Sequence, residues 1–365
     1  MTGPESPYAL RPATAAEIDY IRNLNAEMWA KDLSVETYHE RERTIGSTTL
    51  TRNGGIRSWV LVNPNSDRPN DILSSCETIR KHTLISRPPA PGTKEARVSE
   101  ADAQGIGSVF TPKEHRGRGY AGILMALLKE KLMRENEEGF SVLYSDIGKK
   151  FYAKHGWMPH ASAHIEFPVD GAGPVEDVRY LHSSDLHALC DKDVQALRQK
   201  LRKPESHTRV TFLPDWKTME WHHAREEFVA PHARPNMRKK PENKGAISAD
   251  GKRWIIWNRD FMGDEPTLYI LRVANMSEGQ DPMEGVREIS KLFKAALNEA
   301  KKWGLEKVVL WNPDDETIEA AKRVSSGKVE YVERDTDSIP SLMMHTGESG
   351  MEYIEWLGNE KYVST

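Results

Sequence analysis

Cysteine is nearly absent from this chain. Only Cys76 and Cys190 occur in 365 residues, which excludes a disulfide framework and any cysteine-rich zinc site. Basic charge is not in excess. The 51 lysines and arginines stand against 55 aspartates and glutamates, a net charge of −4, so the basic domain typical of nucleic-acid binders is missing. No apolar run approaches the ~20 residues of a membrane-spanning helix. The opening MTGPESPYALRPAT lacks the basic start and apolar core of a secretory signal and the arginine-rich amphipathic look of a transit peptide. The closing YVST is neither a prenylation box nor a peroxisomal tripeptide. Cytoplasm is the expected location.

What is present fits a soluble folded protein: 38% apolar and 29% charged residues, and enough length for two domains with cores of their own. In YALRPAT a short strand gives way to a helix capped by Thr14, with Glu17 completing a capping box. Strands follow at 59–62, 72–85 and 105–110, the last two separated by the proline-rich loop RPPAPGTKEAR. A helix runs from about Tyr120 to Arg134. The strand FSVLYSD, the short helix KKFYAKH and the strand HIEFPV then close the first unit before GAGP.

Beyond it, SSDLHALCDKDVQALRQKLR reads as a helix with a serine or aspartate cap, and FLPDWKTMEWHHAREEFVA as a second. Residues 234–253 are polar, basic and proline-punctuated, so they are expected to form an exposed loop. RWIIWNRDF and TLYILRV flank the turn MGDEP as two strands. Residues 286–303 form an amphipathic helix with Val286, Ile289, Leu292, Phe293, Ala296, Ala300 and Trp303 on one face, and the buried strand KVVLWNP follows. The order strand–strand–helix–strand therefore occurs at 72–144 and again at 253–312, without a repeat in the letters. A duplicated fold with one decayed copy accounts for this, with units at 1–170 and 171–365.

The chemistry concentrates at HRGRGYAGIL, residues 115–124. A strand ending in VFTP, a turn of arginines and glycines, and then a helix make an anion site. The free amides and positive dipole end of a helix N-terminus attract phosphate, and Gly117 and Gly119 let the backbone come close. Arg116 and Arg118 add charge at the rim. No P-loop GxxxxGK[ST] is present, and the turn is not read as part of a Rossmann dinucleotide unit. Arg116, Gly119 and Ala121 instead spell Arg-x-x-Gly-x-Ala. About thirty residues later, LYSDIGKKFYAKHGWMP (143–159) supplies Tyr152, Gly156 and Trp157 as Tyr-x-x-x-Gly-aromatic.

Together these blocks resemble the acyl-coenzyme A signature of the GNAT acetyltransferase superfamily. The resemblance implies an α/β GNAT fold whose mixed sheet is splayed so that pantetheine lies in the gap. A second, degenerate GNAT-like domain would close the substrate site. It further implies acetyl-CoA as co-substrate, with no metal. Val109, Phe110 and Thr111 would line the pantetheine arm. Arg116, Gly117, Arg118, Gly119, Tyr120 and Ala121 would hold the pyrophosphate, with Ser145 and Asp146 also binding cofactor.

Acyl transfer to an amine needs a neutral nucleophile, and a lysine amine with pKa near 10.4 is almost wholly protonated at pH 7, so a base must act. Glu77, in SSCETIRK, is the expected base, directly or through water, and binds substrate together with Trp29. Tyr152 is the expected acid. The superfamily's tyrosine at this position points at the coenzyme sulfur, and a phenol can protonate a leaving thiolate. Cys76 would permit an acyl-cysteine route, but no histidine is adjacent in sequence to activate it. Glu220, His222 and His223 are metal-ligating types, yet neighbours on a helix face different ways, and a surface cluster is expected. RKKPENK reads as a solvated loop, and most tryptophans as core.

Longer blocks (SSCETIRK, GSVFTPKEHRGRGYAGILM, LYSDIGKKFYAKHGW, LPDWKTMEWHHAREEF and RWIIWNRDF) resemble the fungal lysine N6-acetyltransferase family, which acetylates free lysine as the first step of its breakdown. That implies direct attack by the ε-amine of free L-lysine. Two alternatives stand beside it. One keeps acetyl-CoA and changes the acceptor to a protein lysine, a polyamine or an aminoglycoside. The other is an acyl-CoA-binding sensor without turnover. No nucleic-acid or membrane partner is expected.

Overall fold

The computed structural model describes residues 7–66, 71–235, 240–277, 281–346 and 353–364. Its helices are α1 (Ala15–Trp29), α2 (Val35–Gly46), α3 (Tyr120–Glu135), α4 (Lys150–Ala153), α5 (Ser183–Arg202), α6 (Trp216–Ala233), α7 (Pro282–Lys302) and α8 (Asp315–Val324). The strands of the first half are β1 (Ala9–Pro12), β2 (Ile56–Val62), β3 (Ile72–Arg87), β4 (Arg97–Phe110), β5 (Phe140–Ser145), β6 (Met158–Pro159) and β7 (Ala163–Pro168). Those of the second are β8 (Val178–Leu181), β9 (Thr208–Phe212), β10 (Gly245–Ser248), β11 (Arg253–Asp260), β12 (Thr267–Asn275), β13 (Lys307–Trp311), β14 (Glu330–Glu333), β15 (Ile339–Met344) and β16 (Ile354–Leu357). No described helix is long and apolar enough to cross a membrane.

Local chemistry sets several boundaries as expected. The Thr14 amide donates to the Glu17 carboxylate at 2.8 Å and the Glu17 amide to Thr14 Oγ1 at 3.3 Å, the reciprocal capping box of α1. Every residue assigned to the apolar face of α7, from Val286 to Trp303, is buried. The cap of α5 differs: His182 holds that place, its amide donating to Asp185 at 2.8 Å.

The repeated order of elements is a repeated topology. In the first sheet β3 and β4 are antiparallel and β4 and β5 parallel, with α3 as the crossover. In the second, β11 and β12 are antiparallel and β12 and β13 parallel, with α7 as the crossover. Helix α3 lies on its sheet through Leu124, Met125, Leu128 and Leu132, all buried against Trp59, Ile106, Leu143 and Trp157. Burial contributes roughly 1.5–3 kcal/mol for each such side chain.

The two sheets exchange strands across residue 170. The strand HIEFPV, expected to end the first unit, is β7 and pairs with β13 and β14 in the second sheet. Conversely, β15 lies between β5 and β6, and β9 pairs with β3 and carries β16 on its other edge. Nothing in the period-2 pattern of a strand names its partner, so this exchange is invisible in the letters.

The expected loop at 234–253 also needs correction. Residues 236–239 lie outside the described residues, but Gly245–Ser248 is the buried strand β10, paired with β8 and β11. Lys244, from the basic run read as solvated, is buried and ion-paired with Glu226 at 3.0 Å and Glu227 at 2.9 Å. A four-residue strand of small residues is too short to show a period. Similarly, β4 begins at Arg97 and not at Gly105, because the long hairpin with β3 zips as far as Arg87 opposite Arg97.

Residues 361–364 tuck into the interior beside β3. Lys81 is 2% exposed and its Nζ donates to the Val363 carbonyl at 2.6 Å. Burial presses its pKa down to about 7. The unfolded chain, with an ordinary lysine, therefore binds more protons than the folded one above pH 7, and stability rises with pH from there toward 10.5, by at most roughly 1.4 kcal/mol per pH unit. Lys81→Met removes this term. Melting temperatures followed from pH 7 to 9 should show the wild type gaining on the variant as pH rises, and parallel curves would contradict the assignment.

Candidate active site

The cleft opens where two parallel strands part. β4 and β5 pair from Gln104 opposite Ser141 to Ile106 opposite Leu143. Beyond that, β4 continues to Phe110 on β3, while β5 runs on to Ser145 along β15, with which it pairs over its whole length. A bulge drives the divergence: Ser108 and Val109 face the single residue Cys76, and Ser108 takes φ +52°. A left-handed serine is uncommon and stores strain of the kind found at ligand sites. The resulting cleft holds about 480 Å³ and is lined by Val109, Phe110, Thr111, Tyr144, Asp146 and Tyr152, among others.

At one end lies the glycine turn. Gly117 and Gly119 have φ of +76° and +80°, and a Cβ built on either meets open space. The turn folds this way because only glycine takes these angles without penalty. The amides of Tyr120, Ala121 and Gly122 precede any helical carbonyl they could bond. Arg116 is held at the rim, its Nε donating to the Thr111 carbonyl at 3.1 Å and its guanidinium lying 5.5 Å from the Phe110 ring centre. Thr111 and Ser74 share a hydrogen bond of 3.0 Å. Free donors, open space and a cation fit a pyrophosphate. Gly117, Gly119 and Gly122 also spell the GxGxxG of a dinucleotide loop. Topology rejects that meaning. β4, α3 and β5 do form a parallel β-α-β unit, but β4 pairs antiparallel with β3 and parts from β5 beyond Ile106, unlike the continuous parallel sheet of a dinucleotide fold.

Glu77 stands on β3 opposite Gly107, beside the bulge, and its half-buried side chain reaches the cleft. Ser58 and Ser108 donate to its two oxygens at 3.2 and 3.0 Å. Burial and then the charge of Glu42 raise its pKa, and the two serines only partly oppose this. The acceptor end around it is made of α2 and α6. Arg41 grips Glu42 through Nε and Nη2 at 2.9 and 2.7 Å and lies 4.6 Å from the Tyr38 ring centre. Trp221 and Arg225 complete the lining from α6. Trp29, an expected substrate contact, lines the cleft with its ring 6.1 Å from Phe110.

Tyr152 stands on the wall formed by β5 and α4, 8% exposed, and its hydroxyl makes no hydrogen bond with any described residue. Burial raises its pKa, so it stays a phenol at any working pH. Of the other expected cofactor residues, Asp146 borders the cleft and accepts the Ser338 amide at 3.0 Å. Ser145 does not reach it: it is buried, and its hydroxyl donates to the Gly148 carbonyl at 2.7 Å to close the turn after β5. Cys76 is 1% exposed with its thiol pKa raised by burial, which removes it as a nucleophile.

His222 and His223 are not a surface cluster. Both are buried, and their Nε2 atoms each donate to a carbonyl at 2.9 Å, of Tyr362 and Trp257 respectively. Burial keeps both neutral. Glu220 turns elsewhere, accepting the Thr49 amide at 2.9 Å. Among the described residues no group of three or more His, Cys, Asp or Glu is placed to hold a metal. Sequence reasoning missed Tyr38, Arg41, Glu42, Tyr144 and Arg225. The i, i+4 pair Trp221 and Arg225 was a faint signal, since it joins a cation and an aromatic on one helical face.

Comparison with known proteins bears on this arrangement. Residues 164–365 match the family described as LYC1 GNAT-like C-terminal domain. The chain is 27% identical to a lysine acetyltransferase of Yarrowia lipolytica, across 95% of this chain and 98% of that one. A GCN5-related N-acetyltransferase from Kribbella flavida superposes with a TM-score of 0.54 at 13% identity, covering 93% of this chain and 72% of that one. The Saccharomyces cerevisiae N-myristoyltransferase with bound myristoyl-CoA superposes with a TM-score of 0.55 at 7% identity, covering 94% and 80%. At such identities the two structures speak for the fold alone.

Proposed function

Because the chain belongs to the LYC1 GNAT-like family and is an acetyltransferase of the GNAT type, we propose that it moves an acetyl group from acetyl-CoA to the ε-amine of free L-lysine. One observation carries the chemistry: a half-buried carboxyl, Glu77, and an unbonded phenol, Tyr152, line the same splayed cleft, which Arg116 of the glycine turn also lines. The choice of acceptor draws support from the Yarrowia relative, aligned along nearly the whole of both chains. A cleft of about 480 Å³ also suits a small amine better than a protein tail. The second half of the chain closes the acceptor side through α6, which contributes Trp221 and Arg225. A cytoplasmic role at the start of lysine breakdown fits this activity.

The coenzyme supplies an activated acyl group and a thiolate that leaves. The turn from Arg116 to Ala121 holds its pyrophosphate, and Val109 to Thr111 line its arm. Glu77 takes a proton from the lysine ammonium, aided by a pKa raised toward neutrality, and the freed amine attacks the thioester carbonyl. The C–S bond breaks as the tetrahedral carbon collapses, and Tyr152 protonates the departing sulfur. The second amine proton passes to solvent and restores neutral amide nitrogen.

Thiol release from acetyl-CoA, measured with free lysine, N-blocked lysine, spermidine and a histone peptide, tests the acceptor. Free lysine should lead, and turnover confined to the peptide would defeat the proposal. Tyr152→Phe should lower kcat by about 100-fold, the lower end of general-acid effects, while acetyl-CoA affinity stays within twofold. An unchanged kcat would strip Tyr152 of the acid role.

A further inference from the structure

We infer that Arg225 is the receptor for the α-carboxylate of the acceptor, and that this contact selects a free amino acid over a diamine or a peptide-bound lysine. The inference rests on the free-lysine reading and adds the group that recognises the end of the substrate away from the chemistry.

Among the described residues three arginines line the cleft: Arg41, Arg116 and Arg225. Arg41 is committed to Glu42 and donates from Nη1 to the Trp29 carbonyl at 3.2 Å. Arg116 belongs to the phosphate end, tied to Thr111. Arg225 makes no hydrogen bond or ion pair with any described residue, although it is only partly exposed and lines the cleft. Such a cation needs an anion. The groups facing it from the packed elements are Arg41, Asp260, Glu42 and Tyr38, and burial together with the Arg41 charge weakens its hold on its proton. An added carboxylate would relieve both, and guanidinium takes a carboxylate through two parallel hydrogen bonds.

Its position is fixed by its neighbours on α6. Glu226 points about 100° away around the helix and anchors it in the second core, accepting from Arg259 at 2.9 Å and Lys244 at 3.0 Å. Trp221 packs with Ile45, Leu50 and Ile79, locking the same helix against the first half. Glu77 and Arg225 both line the one cleft, a carboxyl carried by β3 and a guanidinium carried by α6. Lysine carries its ε-ammonium at one end of a four-carbon stem and, at the other, a carboxylate beside the α-ammonium, so it offers Glu77 a cation and Arg225 an anion. A diamine would present its second cation to Arg225 with no carboxylate beside it, and a peptide-bound lysine has no carboxylate there.

The test compares L-lysine with 1,5-diaminopentane, which is lysine without its carboxylate, in the full-length enzyme. For Arg225→Gln, kcat/KM with lysine should fall by about 100-fold, mostly through KM, as expected when one partner of a desolvated charge pair is removed. With the diamine it should rise, because a repelling cation has gone. Arg225→Lys should recover part of the loss for lysine. Equal losses on both amines would mean a structural role, and no loss on lysine would mean no contact; either overturns the inference while lysine turnover by the wild type leaves the broader reading intact. A wild type that acetylates other amines but never free lysine would bring down the broader reading and this inference with it.

Discussion

Gly119→Glu is expected to abolish acetyl-CoA binding in a protein that still folds. The new side chain enters open space, so no packing is disturbed. A non-glycine residue at φ +80° costs about 1–2 kcal/mol, which a protein stable by roughly 5–15 kcal/mol tolerates. Its carboxylate, however, would stand beside the first amides of α3, where the proposed function puts the pyrophosphate. Two like charges 4 Å apart in a protein-surface environment repel by about 4 kcal/mol, and a diphosphate carries more than one. Affinity measured by calorimetry should fall by at least ~10³-fold. Gly119→Ala carries the same backbone strain without the charge, and it should keep most of the binding. Equal losses in the two variants would trace the effect to the turn's conformation, and retained binding by the glutamate variant would move the coenzyme elsewhere.

Glu77→Gln should lower kcat/KM by about 10³-fold, within the range for a positioned base, with little effect on acetyl-CoA affinity. The glutamine is isosteric, and Ser58 and Ser108 can turn their hydroxyls to suit it. The pH profile offers a separate signature. Burial raises the pKa of Glu77 above the ordinary 4.5, so wild-type kcat/KM should decline on the acid side with an apparent pKa above that value, and the variant should lose this limb. Stability should move the other way. Between 4.5 and the raised pKa the folded state keeps a proton that the unfolded chain has released, so the wild type loses stability as pH rises through that window. At pH 7 the variant should melt higher than the wild type. Lower activity with a lower melting temperature would point to structural damage instead of a missing base.

Local physics determined more of this protein than its modest motifs suggest. Positive φ at Gly117 and Gly119, the Thr14–Glu17 capping box and the apolar stripe of α7 all depend on residues within a few positions of each other, and each was legible in the letters. The twofold order of elements was legible too, because strand and helix periods are local properties. Four matters belonged to the tertiary structure alone. Strands β7, β9, β15 and β16 changed sheets, because partners far apart in sequence are chosen by the free energy of the whole core. Ser108 entered the left-handed region only because β3 and β4 were held in a register that forced a bulge. His222 and His223 became buried donors when residues 361–364 and β11 closed over α6. Arg225 makes no ion pair with any described residue, while its neighbour on the helix, Glu226, is turned toward Arg259 and Lys244. In a sequence a charge has neighbours on a line; which charges meet, and which one is left facing a cleft, is decided when distant surfaces exclude water together.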